Sequence, residues 1–193
     1  MANTDKPSDG SHAGAREQVV RPRDQEAMGW VSPHYSVSTS VRLDPEKVTG
    51  NRCVAFSGMV PEMEAYRILR ARLMRKMGMA GGNTIMITSA IPGEGKTLTS
   101  INLALTFARE FSQTVLLVDC DLRRQRVHEV LEYESCKGLA DFFLDGEPLG
   151  NLIVWPGIEK LTIVSGGRTI EDSSEFIGSQ GMQGLVEEMR GRY

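Results

Sequence analysis

Residues Ala90-Ile91-Pro92-Gly93-Glu94-Gly95-Lys96-Thr97 sit between a β-prone run and a helical pattern, and that arrangement leaves few folds open to the chain. The spacing is that of a Walker A phosphate loop, with Ala90 where the first glycine usually stands. Before it, Thr84-Ile85-Met86-Ile87-Thr88-Ser89 is apolar enough for a central parallel strand. After it, Leu98, Ile101, Leu105 and Ala108 recur at helical spacing and mark a buried helix face. Gly93 and Gly95 allow the backbone to turn its N–H groups toward phosphate oxygens. Lys96 supplies a charge to the β- and γ-phosphates, and the Thr97 hydroxyl can ligate Mg²⁺. The helix that follows aims its positive N-terminus at the same anion.

A second strand of the same character spans Val115 to Val118, and a weaker third, Leu161 to Val164, is ended by Ser165-Gly166-Gly167. Gln125–Leu131 and Leu139–Phe143 read as short helices, and Ser174 to Arg190 as a helical pattern interrupted by glycine. Strands alternating with helices predict an α/β domain with a mostly parallel sheet flanked by helices. The second strand runs into Val118-Asp119-Cys120-Asp121-Leu122-Arg123-Arg124. Residues two apart in a strand share a face, so Asp119 and Asp121 are expected to point together and Cys120 to pack oppositely. Two carboxylates at the carboxyl end of a parallel strand, beside a phosphate loop, can position Mg²⁺ and accept a proton from a nucleophile.

The first 52 residues are rich in Ser, Asp, Gly, Pro and Arg and are expected to form a disordered tail, with the domain proper over 53–193. Val54 to Met59 reads as a short strand or a docking segment. Pro61 is a good first helical residue, Glu62 and Glu64 suit a first turn, and Tyr66, Leu69, Leu73 and Met77 form one apolar face. This predicts a helix over about 61–78. On it Glu64, Arg67 and Arg70 follow one stripe, which taken alone is an ordinary solvated face. The formal charge of -3 gives no general reason to expect a nucleic acid or anionic membrane partner. Cys53, Cys120 and Cys136 form no C-x-x-C pair, and no apolar run nears the ~20 residues that cross a bilayer. A cytoplasmic protein is the expectation.

Taken together, the phosphate loop, the Asp119/Asp121 segment and Glu64/Arg67/Arg70 resemble the bacterial tyrosine autokinases of exopolysaccharide and capsule export. Lys137-Gly138-Leu139-Ala140-Asp141 and the stretch from Ser173 to Met182 are similar to segments of that family. The resemblance implies ATP and Mg²⁺ as ligands. Pro92 through Leu98 would hold the nucleotide, Lys96 its phosphates, and Thr97 and Asp119 the metal. Asp119 and Asp121 would act in metal positioning and activation of a tyrosine hydroxyl. Glu64, Arg67 and Arg70 would contact a neighbouring subunit in a ring. The family's free-standing members work with a membrane polysaccharide co-polymerase, which would hold the chain at the inner membrane face. Family members continue into a Walker B strand and a tyrosine-rich tail, while Tyr35, Tyr66, Tyr133 and Tyr193 form no cluster. The expectation is a C-terminally truncated kinase with an incomplete sheet and weak or no turnover.

Two other readings compete. A positioning ATPase of the ParA/MinD type shares the fold, but such proteins carry an extra lysine early in the loop, where Ile91 stands here. A non-catalytic interaction module of the export machinery would retain the fold without transferring phosphate.

Overall fold

A computed structural model describes residues 39–56, 60–109, 114–135 and 137–193. Residues 1–38, most of the predicted tail, and Cys136 lie outside them. The order of elements is β1 (Thr39–Ser40), α1 (Pro45–Gly50), α2 (Pro61–Ala80), α3 (Lys96–Ala108), β2 (Val115–Val118), α4 (Val127–Val130), α5 (Leu139–Asp145), α6 (Leu149–Leu152), β3 (Ile153–Trp155), β4 (Leu161–Val164), α7 (Ser173–Ile177) and α8 (Gln180–Arg192). The described strands form one four-stranded sheet in the order β1-β3-β4-β2. β2 runs parallel to β4 with Val115 opposite Leu161 and Val118 opposite Val164, and β1 runs parallel to β3. Only the β3–β4 pair is antiparallel.

Strand alternation divides the core between the two faces of this sheet. Leu117 and Ile163 join Ile101, Leu105 and Leu131 on one side. Val164 and Ile153 join Leu139, Leu152 and Leu185 on the other, with Leu116 and Val118 packed against them. Both faces are therefore covered, which is why β2 reads as an unbroken apolar run rather than an alternating one. The β-branched and leucine-rich composition of β2 and β4 suits this double burial.

The expected disorder does not extend to residue 52. Asp44 caps α1 through a side-chain oxygen that accepts the Glu46 N–H at 3.0 Å, Pro45 opens the helix, and Val48 is fully buried. The turn after α1 is tied to α3 by one buried amide. Asn102 Oδ1 accepts the Ala55 N–H at 3.0 Å, and Nδ2 donates to the carbonyls of Arg52 at 3.2 Å and Leu98 at 3.0 Å. A polar tail composition hid this because its apolar anchors, Val48, Cys53 and Ala55, are few, though each is fully buried. Val54–Phe56 is a turn rather than a strand, and residues 57–59 lie outside the described ones.

The run Thr84–Ser89, expected to be the central strand, carries no ladder. Its burial nevertheless alternates: Ile85 and Ile87 are half-buried while Met86 is 85% exposed. Sequence propensity makes it extended, but no described strand lies alongside to hydrogen-bond it. Its start is held instead by Asn83, whose Nδ2 donates to the carbonyls of Arg190 at 2.8 Å and Tyr193 at 2.6 Å. The closing helical pattern breaks at Gly178–Ser179, where the Ser179 hydroxyl accepts the Met182 N–H at 3.1 Å and starts α8.

Replacing Asn102 by Ala strands the buried Ala55 N–H and takes the side-chain donor from the part-buried bond to the Arg52 carbonyl. Asn102→Ala is expected to lower stability by about 2–4 kcal/mol in urea unfolding, and a loss under ~0.5 kcal/mol would contradict this role.

Candidate nucleotide site

The phosphate loop leaves Ile91 and reaches α3 through two left-handed turns, at Gly93 (φ 88°) and Gly95 (φ 91°). A side chain at either position is strained whatever the space around it, so glycine is required by the backbone itself. Lys96 is the first residue of α3, Thr97 the second, and both are half-buried. Pro92, Gly93 and Glu94 are exposed, and Leu98 packs against the first core cluster. From Ile101 to Ala108 every residue of α3 is buried, so the helix that presents Lys96 is clamped on all sides.

Asp121 completes the near side of the site: its Oδ2 lies 2.7 Å from Lys96 Nζ. Burial works to raise the Asp121 pKa, but the hydrogen bond and charge of Lys96 and the amides of Arg124 and Arg123 outweigh it. The carboxyl is held below its ordinary value. Asp119 behaves differently. It is buried, and its two oxygens accept three backbone N–H groups, those of Asp121 at 3.1 Å, Arg126 at 3.0 Å and Val127 at 3.1 Å. Two of those amides are orphans of the first turn of α4, which has no side-chain cap of its own. Burial raises the Asp119 pKa, these amides act against it, and the neighbouring Asp121 charge adds to the rise.

The expected common face of the two carboxylates is therefore only partly realised. The strand ends at Val118, Asp119 turns onto the loop it organises, and Asp121 turns onto Lys96. Cys120, expected to pack, is exposed for the same reason: alternation stops with the ladder. Its surroundings still desolvate the thiol, and with the Asp119 charge they push its pKa up to about 11.

The arrangement at the exit of β4, which pairs with β2 as far as Val118 and Val164, was not anticipated from sequence. The exit of β4, Ser165-Gly166-Gly167-Arg168, is pinned against the start of α5: Leu139 N–H donates to Ser165 O at 2.8 Å and Ala140 N–H to Gly166 O at 2.9 Å. Asp141 accepts the Gly138 N–H at 2.7 Å and pairs with Arg168 Nε at 2.9 Å. Gln125 joins this exit to the turn behind Asp121, donating to Arg168 O at 2.7 Å. A Cβ on Gly138 would fall 2.3 Å from Gly167 N and from Ser165 O, so only glycine fits. The Gly-Gly pair after the third strand and the Lys-Gly-Leu-Ala-Asp run were its sequence signals.

Of the stripe on α2, Glu64 and Arg67 form an exposed pair at 3.5 Å. Arg70 is directed inward, donating to Thr106 O at 2.7 Å on the last turn of α3, where a cation suits the helix C-terminus. The predicted apolar face of α2 is only half covered: Tyr66, Leu73 and Met77 are half-buried, while Leu69 and Ile68 are 37% and 48% exposed. Among the described residues no helix is long and apolar enough to cross a membrane, and no cluster of three or more His, Cys, Asp or Glu side chains could hold a metal.

These features define an α/β domain with a phosphate-loop sequence at the junction of Ser89 and α3. No family model matches the chain. Among curated proteins it is 32% identical over 130 residues to the tyrosine-protein kinase YwqD of Bacillus subtilis, covering 67% of this chain and 54% of that one. It is 33% identical over 167 residues to the putative tyrosine-protein kinase AmsA of Erwinia amylovora, covering 86% of this chain and 22% of AmsA. The solved kinase domain of the Escherichia coli tyrosine kinase ETK superposes with a TM-score of 0.63 at 31% identity, over 68% of this chain and 51% of that domain. The chain is thus a relative of the bacterial tyrosine-protein kinases, and it spans about a fifth to a half of the curated relatives described above.

Exposure alone would make Cys120 the reactive thiol. Its pKa of about 11 means that it stays protonated at neutral pH, so alkylation by iodoacetamide is expected to be slow at pH 7.5 and to rise with a midpoint near 11, read by mass mapping of the Cys120 peptide. A midpoint near the ordinary thiol value of about 8.5 would contradict the site electrostatics.

Proposed function

We propose that this domain binds MgATP at the phosphate loop and belongs to a protein tyrosine autokinase that transfers the γ-phosphoryl group to a tyrosine hydroxyl. The observation that carries the reading is the Lys96–Asp121 contact of 2.7 Å at the mouth of two left-handed glycines. It shows that the lysine at the helix start reaches an anionic oxygen held where the loop and the second strand meet. The kinase names of the relatives support the reaction class.

The residues present fit a magnesium–nucleotide ligand. Mg²⁺ is ordinarily held by one or two protein oxygens together with phosphate oxygens and water, not by an all-protein cage. Thr97 and Asp119 are the residues that would hold it, and the ion would neutralise charge on the phosphates when bound. Asp119 has about four lone-pair positions and gives three of them to amides, which leaves room for one metal-bound water. Lys96 orients the phosphates by charge. Asp121, released from Lys96 by the nucleotide, is an ionised carboxylate able to accept the proton of an incoming tyrosine hydroxyl. Gly93 and Gly95 shape the loop around the transferred group.

Within the same proposal, Glu64 and Arg67, with the exposed Ile68 and Leu69 beside them, form the face by which copies associate into a ring. Arg70 serves that face indirectly by fastening α2 to α3. A membrane polysaccharide co-polymerase is the proposed adaptor, and exopolysaccharide chain-length control the proposed setting. Tyr133 is a poor acceptor because it is 8% exposed, and burial raises its pKa. Turnover by these 193 residues alone is proposed to be weak, since the run leading into the loop has no ladder among the described residues. That same observation favours, as a second reading, a non-catalytic module that binds nucleotide to recruit partners.

Lys96→Met removes the charge and leaves α3 packed. Calorimetry is expected to show Mg-dependent ATP binding by the wild-type chain and at least a tenfold (about 1.4 kcal/mol) weaker binding by the variant, with unchanged thermal unfolding. Equal binding by both would overturn the reading. Phosphotyrosine on the wild-type chain that is absent from Lys96→Met would separate the kinase from the non-catalytic module.

A further inference from the structure

A phosphate loop attracts anions because its donors lack other partners. In this domain two of those donors already have partners of the right chemistry. The Ile91 N–H donates to Oε2 of Glu94 at 3.2 Å, across the loop itself, and Lys96 Nζ lies 2.7 Å from Oδ2 of Asp121. A carboxylate offers what a phosphoryl group offers a donor: an anionic, acceptor-only oxygen.

We propose that Glu94 and Asp121 act as internal stand-ins for phosphate, occupying the Ile91 N–H and Lys96 until a nucleotide displaces both carboxylates. The proposal rests on the nucleotide-binding reading above and assigns it two positioning residues. Surface ion pairs between two flexible side chains hold little. Neither carboxylate here is held in that way. Asp121 is aimed by its own backbone turn: its N–H is accepted by Asp119, and its Oδ1 accepts the Arg124 N–H at 3.0 Å, which leaves Oδ2 for Lys96. Glu94 stands between the left-handed Gly93 and Gly95, and its side chain folds back across Pro92 to Ile91. Both donors also lie where a polyphosphate would be placed, one at the entry of the loop and one at the start of α3.

It follows that nucleotide affinity contains a competition with the chain's own carboxylates. Glu94 is the residue on which to test it, since its side chain is exposed and its replacement leaves Asp121 and Thr97 intact. Glu94→Asp keeps the charge but shortens the arm by one methylene, which draws the carboxylate back from the Ile91 N–H that Glu94 meets at 3.2 Å. Glu94→Gln removes the charge. Calorimetric titration of the full chain with MgATP, with circular dichroism to confirm folding, is expected to show both variants binding about three- to tenfold more tightly than wild type. Tightening by Glu94→Gln alone would mean a plain charge effect and would overturn the stand-in. Unchanged or weakened binding in both variants would overturn it as well, while leaving nucleotide binding intact. If wild type and Lys96→Met alike take up no MgATP, the nucleotide reading fails, and the stand-in fails with it.

Discussion

The turn from Ile91 to Lys96 is the constraint on which the rest of this domain depends. Two left-handed glycines, one on each side of Glu94, carry the chain from an extended run into α3 within a few residues. The outcome is fixed at the far end, because α3 is buried all round from Ile101 to Ala108 and cannot rotate to accommodate a different entry. Lys96 therefore arrives at one place, and that place is set by packing many residues away. Asn102 and Arg70 extend this control, tying the Arg52–Ala55 turn to the middle of α3 and α2 to its last turn.

The other half of the site is built from β2 and β4. Their parallel pairing ends at Val118 and Val164, and the two exits diverge into loops that are organised by buried polar groups rather than by further ladder. Asp119 gathers three amides and so fixes the turn that carries Asp121. Asp141 and Gln125 fix the β4 exit through Gly138 and Arg168. Each buried carboxylate costs desolvation, and each is offset by charged hydrogen bonds of the stronger kind. Asp119 still titrates above its ordinary value because burial outweighs its amides, whereas Asp121, closer to solvent and to Lys96, titrates below. Two acids two residues apart thus acquire different properties from their partners.

Much of this could be read in advance. The phosphate loop, β2, β4, α2 and α3 follow from local signals: glycine placement, apolar periodicity and a proline at a helix start. What could not be read depended on long-range partners. Thr84–Ser89 has the composition of a strand, yet a strand exists only where another backbone accepts its hydrogen bonds, and none of the described residues does so. Residues 39–52 looked like tail because the few buried anchors that fold them, Val48 among them, are diluted by polar neighbours. The exposure of Cys120 and the inward turn of Arg70 are likewise products of where the ladder stops and where α3 ends.

The central claim is that the loop, Lys96 and the Asp121 turn form one anion-responsive unit. Hydrogen–deuterium exchange with and without MgATP reads it directly, because it reports the backbone amides that would face the ligand. Protection is predicted over residues 91–98 together with 119–127, where Asp119 transmits the change to its amides. Protection confined to other segments, or none in either of these at saturating nucleotide, would contradict the account.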